Sequence, residues 1–214
     1  MTRVWLIRLG RNGEFETAAF EHNLLTIGFG IKEDISKLKD RDALIGKMAE
    51  LFPDDKPGRH RNFAAQVNQF VNIAKDDDLV ISPVKTSSTI AIGRISGPYQ
   101  PGPNGEVMRP VAWLKTDLPR DTFRQDLLYS FGAIMTVCEI SRNDALKRVK
   151  EVLSTGHHPG DGAAPALSEK PALAAETQLE DALDQPINLD QIARDQIERR
   201  IASVFTGHDF TRLV

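Results

Sequence analysis

The sequence predicts an α+β fold, a small and mostly antiparallel β-barrel or curled sheet with flanking helices, followed by a linker and a helix. Three observations carry this. The apolar period within residues 1–154 switches repeatedly between the strand period of about 2 and the helical period of about 3.6. The order of segments reads β, β, α, α and then mostly β, which is not the regular alternation of a doubly wound sheet. Two short apolar runs, Leu79 to Val84 and Thr89 to Ile95, are joined by the polar residues Lys85-Thr86-Ser87-Ser88, as in a hairpin.

Taken in order, Val4-Trp5-Leu6-Ile7 with Leu9 reads as a strand bounded by Gly10, and Leu25-Thr26-Ile27-Gly28-Phe29-Gly30 as a second, glycine-interrupted strand. Ile35, Leu38, Ile45, Met48 and Phe52 keep helical spacing up to Pro53. Phe63, Val67, Phe70 and Ala74 form a second helical stripe that ends in Lys75-Asp76-Asp77-Asp78. After the hairpin, Val111-Ala112-Trp113-Leu114 is another strand, and Phe123, Leu127, Leu128 and Phe131 mark a short helix. Ser141-Arg142-Asn143-Asp144 has the composition of a capping box, opening a helix with Ala145, Leu146, Val149 and Val152 inward.

The chain has 214 residues, 41% apolar and 27% charged, enough for one ordinary domain plus an appendage. No apolar run approaches the roughly 20 residues of a membrane helix, and the N-terminus lacks the apolar stretch of a signal peptide. A cytoplasmic protein without a membrane partner is expected. Cys138 is the single cysteine, which excludes an intramolecular disulfide and a thiolate zinc site. The formal charge of -3 is unevenly placed: residues 1–154 carry 22 basic against 20 acidic side chains, 155–190 one against seven, and 191–214 four against three. The front unit, 1–154, is therefore mildly basic, which permits a polyanionic partner. Residues 155–188, rich in Pro, Ala and Gly and acidic, read as a flexible linker. Residues 189–214 begin a further unit with a helical stripe of Leu189, Ile192, Ile197, Ile201 and Phe205.

Catalytic motifs are missing. The sequence contains no phosphate-binding loop ending in Lys-Ser/Thr, no His-Glu-x-x-His and no Gly-x-Ser-x-Gly. Pro53-Asp54-Asp55-Lys56 has the Asp-x-Lys of many nucleases, but it lies between two helical stripes beside Pro57-Gly58, the composition of a solvated turn. His157-His158 sits in the linker with no third ligand nearby, so no metal site is expected.

Aromatic and basic residues are the informative ones. Trp5, Trp113 and Phe29 read either as core or as walls of a pocket for an extruded base, which is recovered by stacking and by hydrogen bonds to its edge. Glycines beside Phe29 would let a planar ligand approach the backbone. Lys85, Thr86, Ser87 and Ser88 can supply donors from a loop, and Arg59, Arg61, Arg94 and Arg109 can hold phosphates or stand as solvated charges.

The series Trp5-Leu-Ile-Arg-Leu-Gly10, Thr26-Ile-Gly-Phe-Gly30, Asp34-Ile-Ser36, Asn62-Phe-Ala-Ala-Gln66 with Phe70, Asp78-Leu-Val-Ile-Ser-Pro-Val-Lys85, Ile90-Ala-Ile-Gly-Arg-Ile-Ser-Gly-Pro-Tyr99, Arg109-Pro-Val-Ala-Trp113-Leu and Met135-Thr-Val resembles the N-terminal domain of Mrr-like, modification-dependent (type IV) restriction endonucleases. That domain is similar to PUA-superfamily modules of the EVE and YTH kind. Phe29 stands where the family often has Trp, and Asp77-Asp78 where it often has Gly-Asp. Gly207-His-Asp-Phe-Thr-Arg-Leu-Val214 is similar to the first helix of the Mrr catalytic domain.

The resemblance implies a DNA-recognition module over 1–154, with the catalytic residues and the Mg²⁺ of a nuclease domain expected beyond residue 214. No catalytic residue, metal ligand or cofactor is expected in this chain itself. It implies duplex DNA carrying a modification as partner, and a homodimer formed through the nuclease domain. The implied base pocket comprises Trp5, Phe29, Trp113, Tyr99, Thr86, Ser87 and Ser88 and takes a modified base, a substituted cytosine first among them. The implied backbone contacts are Lys85, Arg59, Arg61, Arg94 and Arg109. Rival readings are a reader of phosphorothioate backbones, a protein-interaction or regulatory domain, and an RNA-binding module.

Overall fold

In the computed structural model of the chain, residues 2–156 are described. The linker expected at 155–188 and the further unit at 189–214 lie outside them, apart from Thr155 and Gly156, which close the last helix.

The fold is α+β. In chain order the elements are β1 (Val4–Ile7), α1 (Glu16–His22), β2 (Leu24–Ile27), α2 (Arg41–Leu51), α3 (Pro57–Asn68), β3 (Leu79–Pro83), β4 (Ile90–Ile95), β5 (Gln100–Pro101), β6 (Val107–Leu118), α4 (Gln125–Phe131), β7 (Val137–Glu139) and α5 (Ala145–Thr155). Among the described residues the strands form one mixed sheet in the order β2-β6-β4-β3-β1-β7, with β5 also paired to β6. Of these pairs only β1–β3, next to the β7 edge, is parallel, Trp5 facing Val80. The expected hairpin is present, with Ile81 opposite Ile92.

β6 makes the sheet curl. Its first half pairs with β2, Thr26 opposite Met108. Its second half pairs with β4 through two register shifts, around Ile92/Gly93 and Ile90/Ile92, in which β6 contributes the extra residue. Such bulges bend a strand and increase its twist. They also interrupt the outer edge of Ala112–Asp117, which carries Lys115 and Asp117, so the edge is a poor template for a further strand.

β1 is buried on both faces because its side chains alternate between two cores. Trp5 and Ile7 join Phe29, Leu44, Met48, Val67 and Phe70 on the face covered by α1, α2 and α3. Val4 and Leu6 join Phe123, Leu127, Phe131, Val149 and Val152 on the face covered by α4 and α5.

Besides α1, which the sequence reading does not contain, and the expected strand over residues 25–30, which ends at Ile27, three segments differ from the sequence reading. The stripe starting at Ile35 and Leu38 becomes helical only at α2, because the Asp40 side chain accepts from Ala43 N–H at 2.8 Å and caps the helix there. Residues 141–144 do not form a capping box: Asn143 and Asp144 both take left-handed conformations, and no side chain caps α5. α3 continues into a π-helical turn at Gln69–Ile73. Pro53-Asp54-Asp55-Lys56 is the turn between α2 and α3, with Asp55 paired to Arg59 at 3.0 Å.

Candidate nucleic-acid interface

The residues expected to form one pocket fall into separate neighbourhoods. Trp5 belongs to the core, 1% exposed, and its indole N–H donates to Asp78 Oδ2 at 2.8 Å. The same carboxylate accepts from the backbone N–H groups of Arg3 and Lys75, so Asp78 is a buried clamp as well as the last residue of the Lys75–Asp78 turn, its own N–H donating to Lys75 O at 3.2 Å. Phe29 is 6% exposed and packs edge-on against Phe63, ring centroids 5.1 Å apart. The glycines flanking Phe29 are indeed approached by planar groups, but by the protein's own. A Cβ on Gly28 would lie 3.1 Å from the Phe15 ring, and one on Gly30 would lie 3.1 Å from the Phe52 ring. Neither glycine leaves room for a base.

Arg109 also departs from its expected role. It is 2% exposed, and its guanidinium donates to the carbonyls of Gly97 at 3.1 Å and Phe70 at 3.0 Å, to Ala74 O, and to Asp76 at 3.4 Å. Phe70 lies inside the π-helical turn and Ala74 directly follows it, so Arg109 satisfies carbonyls that the turn leaves over. Burial pulls its guanidinium below the ordinary range, opposed by Asp76 and Asp78. Contact with phosphate would require unmaking these bonds.

The other basic candidates lie at the surface. Arg59 stacks over Phe63, 4.9 Å from the ring centroid, while paired to Asp55. Arg61 is exposed on α3, and Arg94 pairs with Asp77 at 3.4 Å. Tyr99 is half-buried; its hydroxyl accepts from Ile35 N–H at 3.2 Å and donates to Asp34 at 3.4 Å, tying together two loops.

Lys85, Thr86 and Trp113 converge on α1, a helix that sequence reading missed. The buried carboxylate of Glu16 accepts from Lys85 N–H at 2.5 Å, Thr86 N–H at 3.1 Å and Thr86 Oγ1 at 2.7 Å. One turn on, Ala19 O accepts from Trp113 Nε1 at 2.9 Å, and the Phe20 ring lies 5.0 Å from the Trp113 ring. Trp113 shares a row of the sheet with Gly93, Val80 and Trp5, and a Cβ on Gly93 would lie 2.9 Å from its ring. Unlike Trp5 it is only partly covered, and Ala112, Leu114, Lys115 and Thr116 beside it are exposed. In the loop Thr86, Ser87 and Ser88 are exposed, Ser88 with a φ of 56° and Ser87 Oγ 2.7 Å from Thr89 Oγ1.

Cys138 is set apart from this surface. Burial pushes its thiol up to about 11, although Arg8 acts in the opposite direction. Among the described residues no three His, Cys, Asp or Glu side chains converge where a metal ion could sit, so the Mg²⁺ expectation attaches to none of them. Among the same residues no helix is long and apolar enough to cross a membrane.

In comparisons with known proteins, a family model described as a domain of unknown function, DUF8426, matches residues 5–140, which takes in β1 through β7 and stops before α5. No curated protein and no solved structure matches the chain.

Proposed function

We propose that this chain, which belongs to the DUF8426 family, is a DNA-recognition module of a modification-dependent restriction enzyme that meets its duplex through the β3–β4 loop and Trp113. The observation that carries the reading is the convergence of Lys85, Thr86 and Trp113 on α1. A partly covered aromatic ring and a loop rich in hydroxyls and bearing a lysine, each fastened to α1, supply what duplex contact needs, a stacking face and backbone donors. The order of the eight motifs quoted above supports the restriction context. A nuclease domain with its Mg²⁺ and a homodimer through it are part of the same proposal and concern no residue described here.

A second reading, a reader of phosphorothioate backbones, is favoured by the burial of Trp5 and Phe29. With those rings in the core, a shallow surface around the partly covered Trp113 ring fits a modified backbone as well as an extruded base.

An electrophoretic shift series tests both. One duplex is compared unmodified, with methylcytosine, with hydroxymethylcytosine and with phosphorothioate, alongside an RNA duplex. Tighter binding to a cytosine modification supports the first reading and tighter binding to phosphorothioate the second. RNA preference, or no binding at all, refutes both and leaves the RNA-binding or protein-interaction alternative.

A further inference from the structure

Glu16 is a buried acid that the contact surface itself does not use. Its carboxylate is 2% exposed for the whole residue, yet it sits in the first turn of a seven-residue helix whose Thr17 and Ala18 are exposed. Taking a carboxylate out of water is costly unless hydrogen bonds replace the lost hydration. Two backbone N–H groups and one hydroxyl of the β3–β4 loop replace it. The room for the carboxylate comes from Gly13, whose φ of +88° few side chains adopt and where a Cβ would lie 2.9 Å from both Glu16 oxygens. Neither partner can move alone, since a departing loop would strand a buried charge.

We propose that Glu16 is a positioning residue which, by holding the β3–β4 loop against α1, presents that loop and Trp113 to DNA as one rigid surface. The proposal rests on the DNA-binding reading. Three loop donors grip an internal anion, much as a backbone nest grips a phosphate. They are therefore closed to phosphate, the Thr86 hydroxyl included, and the loop acts through the side chains of Lys85, Ser87 and Ser88. Order set before binding does not have to be bought on binding.

The test combines amide hydrogen exchange with duplex titration on the full chain. In Glu16→Gln the acceptor set is broken. The Lys85 and Thr86 amides are expected to lose protection at least tenfold, and duplex affinity to fall roughly two- to tenfold, the equivalent of re-ordering one side chain on binding. Glu16→Ala provides a second arm: formate, set against chloride at equal ionic strength, is expected to restore both amide protection and affinity by refilling the carboxylate position. Unchanged affinity in a folded Glu16→Gln protein whose loop amides have lost protection overturns the proposal. So does formate that restores protection without affinity. Absence of duplex binding by the parent protein overturns the DNA reading itself, whereas binding indifferent to both variants overturns only the role of Glu16.

Discussion

Arg109→Met removes a guanidinium while keeping most of the volume of its aliphatic stem. Three buried carbonyls, those of Gly97, Phe70 and Ala74, lose their donor, and Asp76 loses its ion-pair partner. Each stranded polar group costs about 1–3 kcal/mol. Asp76 is largely exposed and adds little, since surface pairs contribute about 0–1 kcal/mol. Some carbonyls regain water, so the sum is about 3–5 kcal/mol, as for a buried network broken from one side. Stabilities of natural domains are about 5–15 kcal/mol, so the loss is a large fraction of the whole. Urea unfolding followed by tryptophan fluorescence reads it directly. With a slope of about 2 kcal/mol/M, the midpoint is expected to fall by roughly 1.5–2.5 M at unchanged slope. A folded Arg109→Met protein with the parent midpoint refutes the reasoning. If it also lost duplex affinity, with a salt slope smaller by about 0.9, Arg109 would belong among the phosphate contacts after all.

Phe29→Ala is expected to cost about 3–5 kcal/mol, because the ring is core and borders Phe63; selective loss of modified-duplex binding at parental stability would return Phe29 to a pocket. Arg148 holds the Asp126 carboxyl below the usual carboxylate range through bonds of 2.6 and 2.8 Å. A depressed carboxyl stabilises the fold above its unfolded-state value, and that stability is lost as pH falls through the folded value. Arg148→Met should therefore cost about 1 kcal/mol near neutrality, with the gap closing in acid; a gap that is constant with pH contradicts the pairing. Cys138, with its thiol near 11, should alkylate slowly at pH 8 in the native protein and rapidly in denaturant. Equal rates would mean that the thiol is open to solvent.

What was legible in the sequence is what local periodicity encodes. The apolar run Val4-Trp5-Leu6-Ile7, the paired runs around Lys85–Ser88 and the stripe from Phe63 to Ala74 each fall in elements of the expected type. α1 was illegible because Glu-Thr-Ala-Ala-Phe-Glu-His is short and carries only Ala19 and Phe20 as apolar contacts, while its most telling residue is a buried glutamate. Composition cannot distinguish a buried acid from a solvated one. Arg109 was misread for the same reason: its carbonyl partners are 12 to 39 residues away and meet it only once β6 and α3 pack. The glycines around Phe29 did signal close approach by a ring. That the ring belongs to Phe15 or Phe52 follows from tertiary packing alone. Asn62 and Gln66, quoted as a motif, hold β7 in place: Gln66 Oε1 accepts from Thr136 and Val137 N–H, and its amide donates to Asn62.

On the proposed function, DNA meets the β3–β4 loop and Trp113. The chain has two tryptophans, whose indole N–H groups have different surroundings, Asp78 for Trp5 and Ala19 O for Trp113. Titrating a modified duplex into ¹⁵N-labelled protein and following amide and indole signals locates the contact. Shifts concentrated at Lys85 to Ser88 and at the Trp113 indole, with the Trp5 indole unmoved, are the expected result. Shifts confined to Arg59, Arg61 and the start of α3, or none with any duplex, would contradict it.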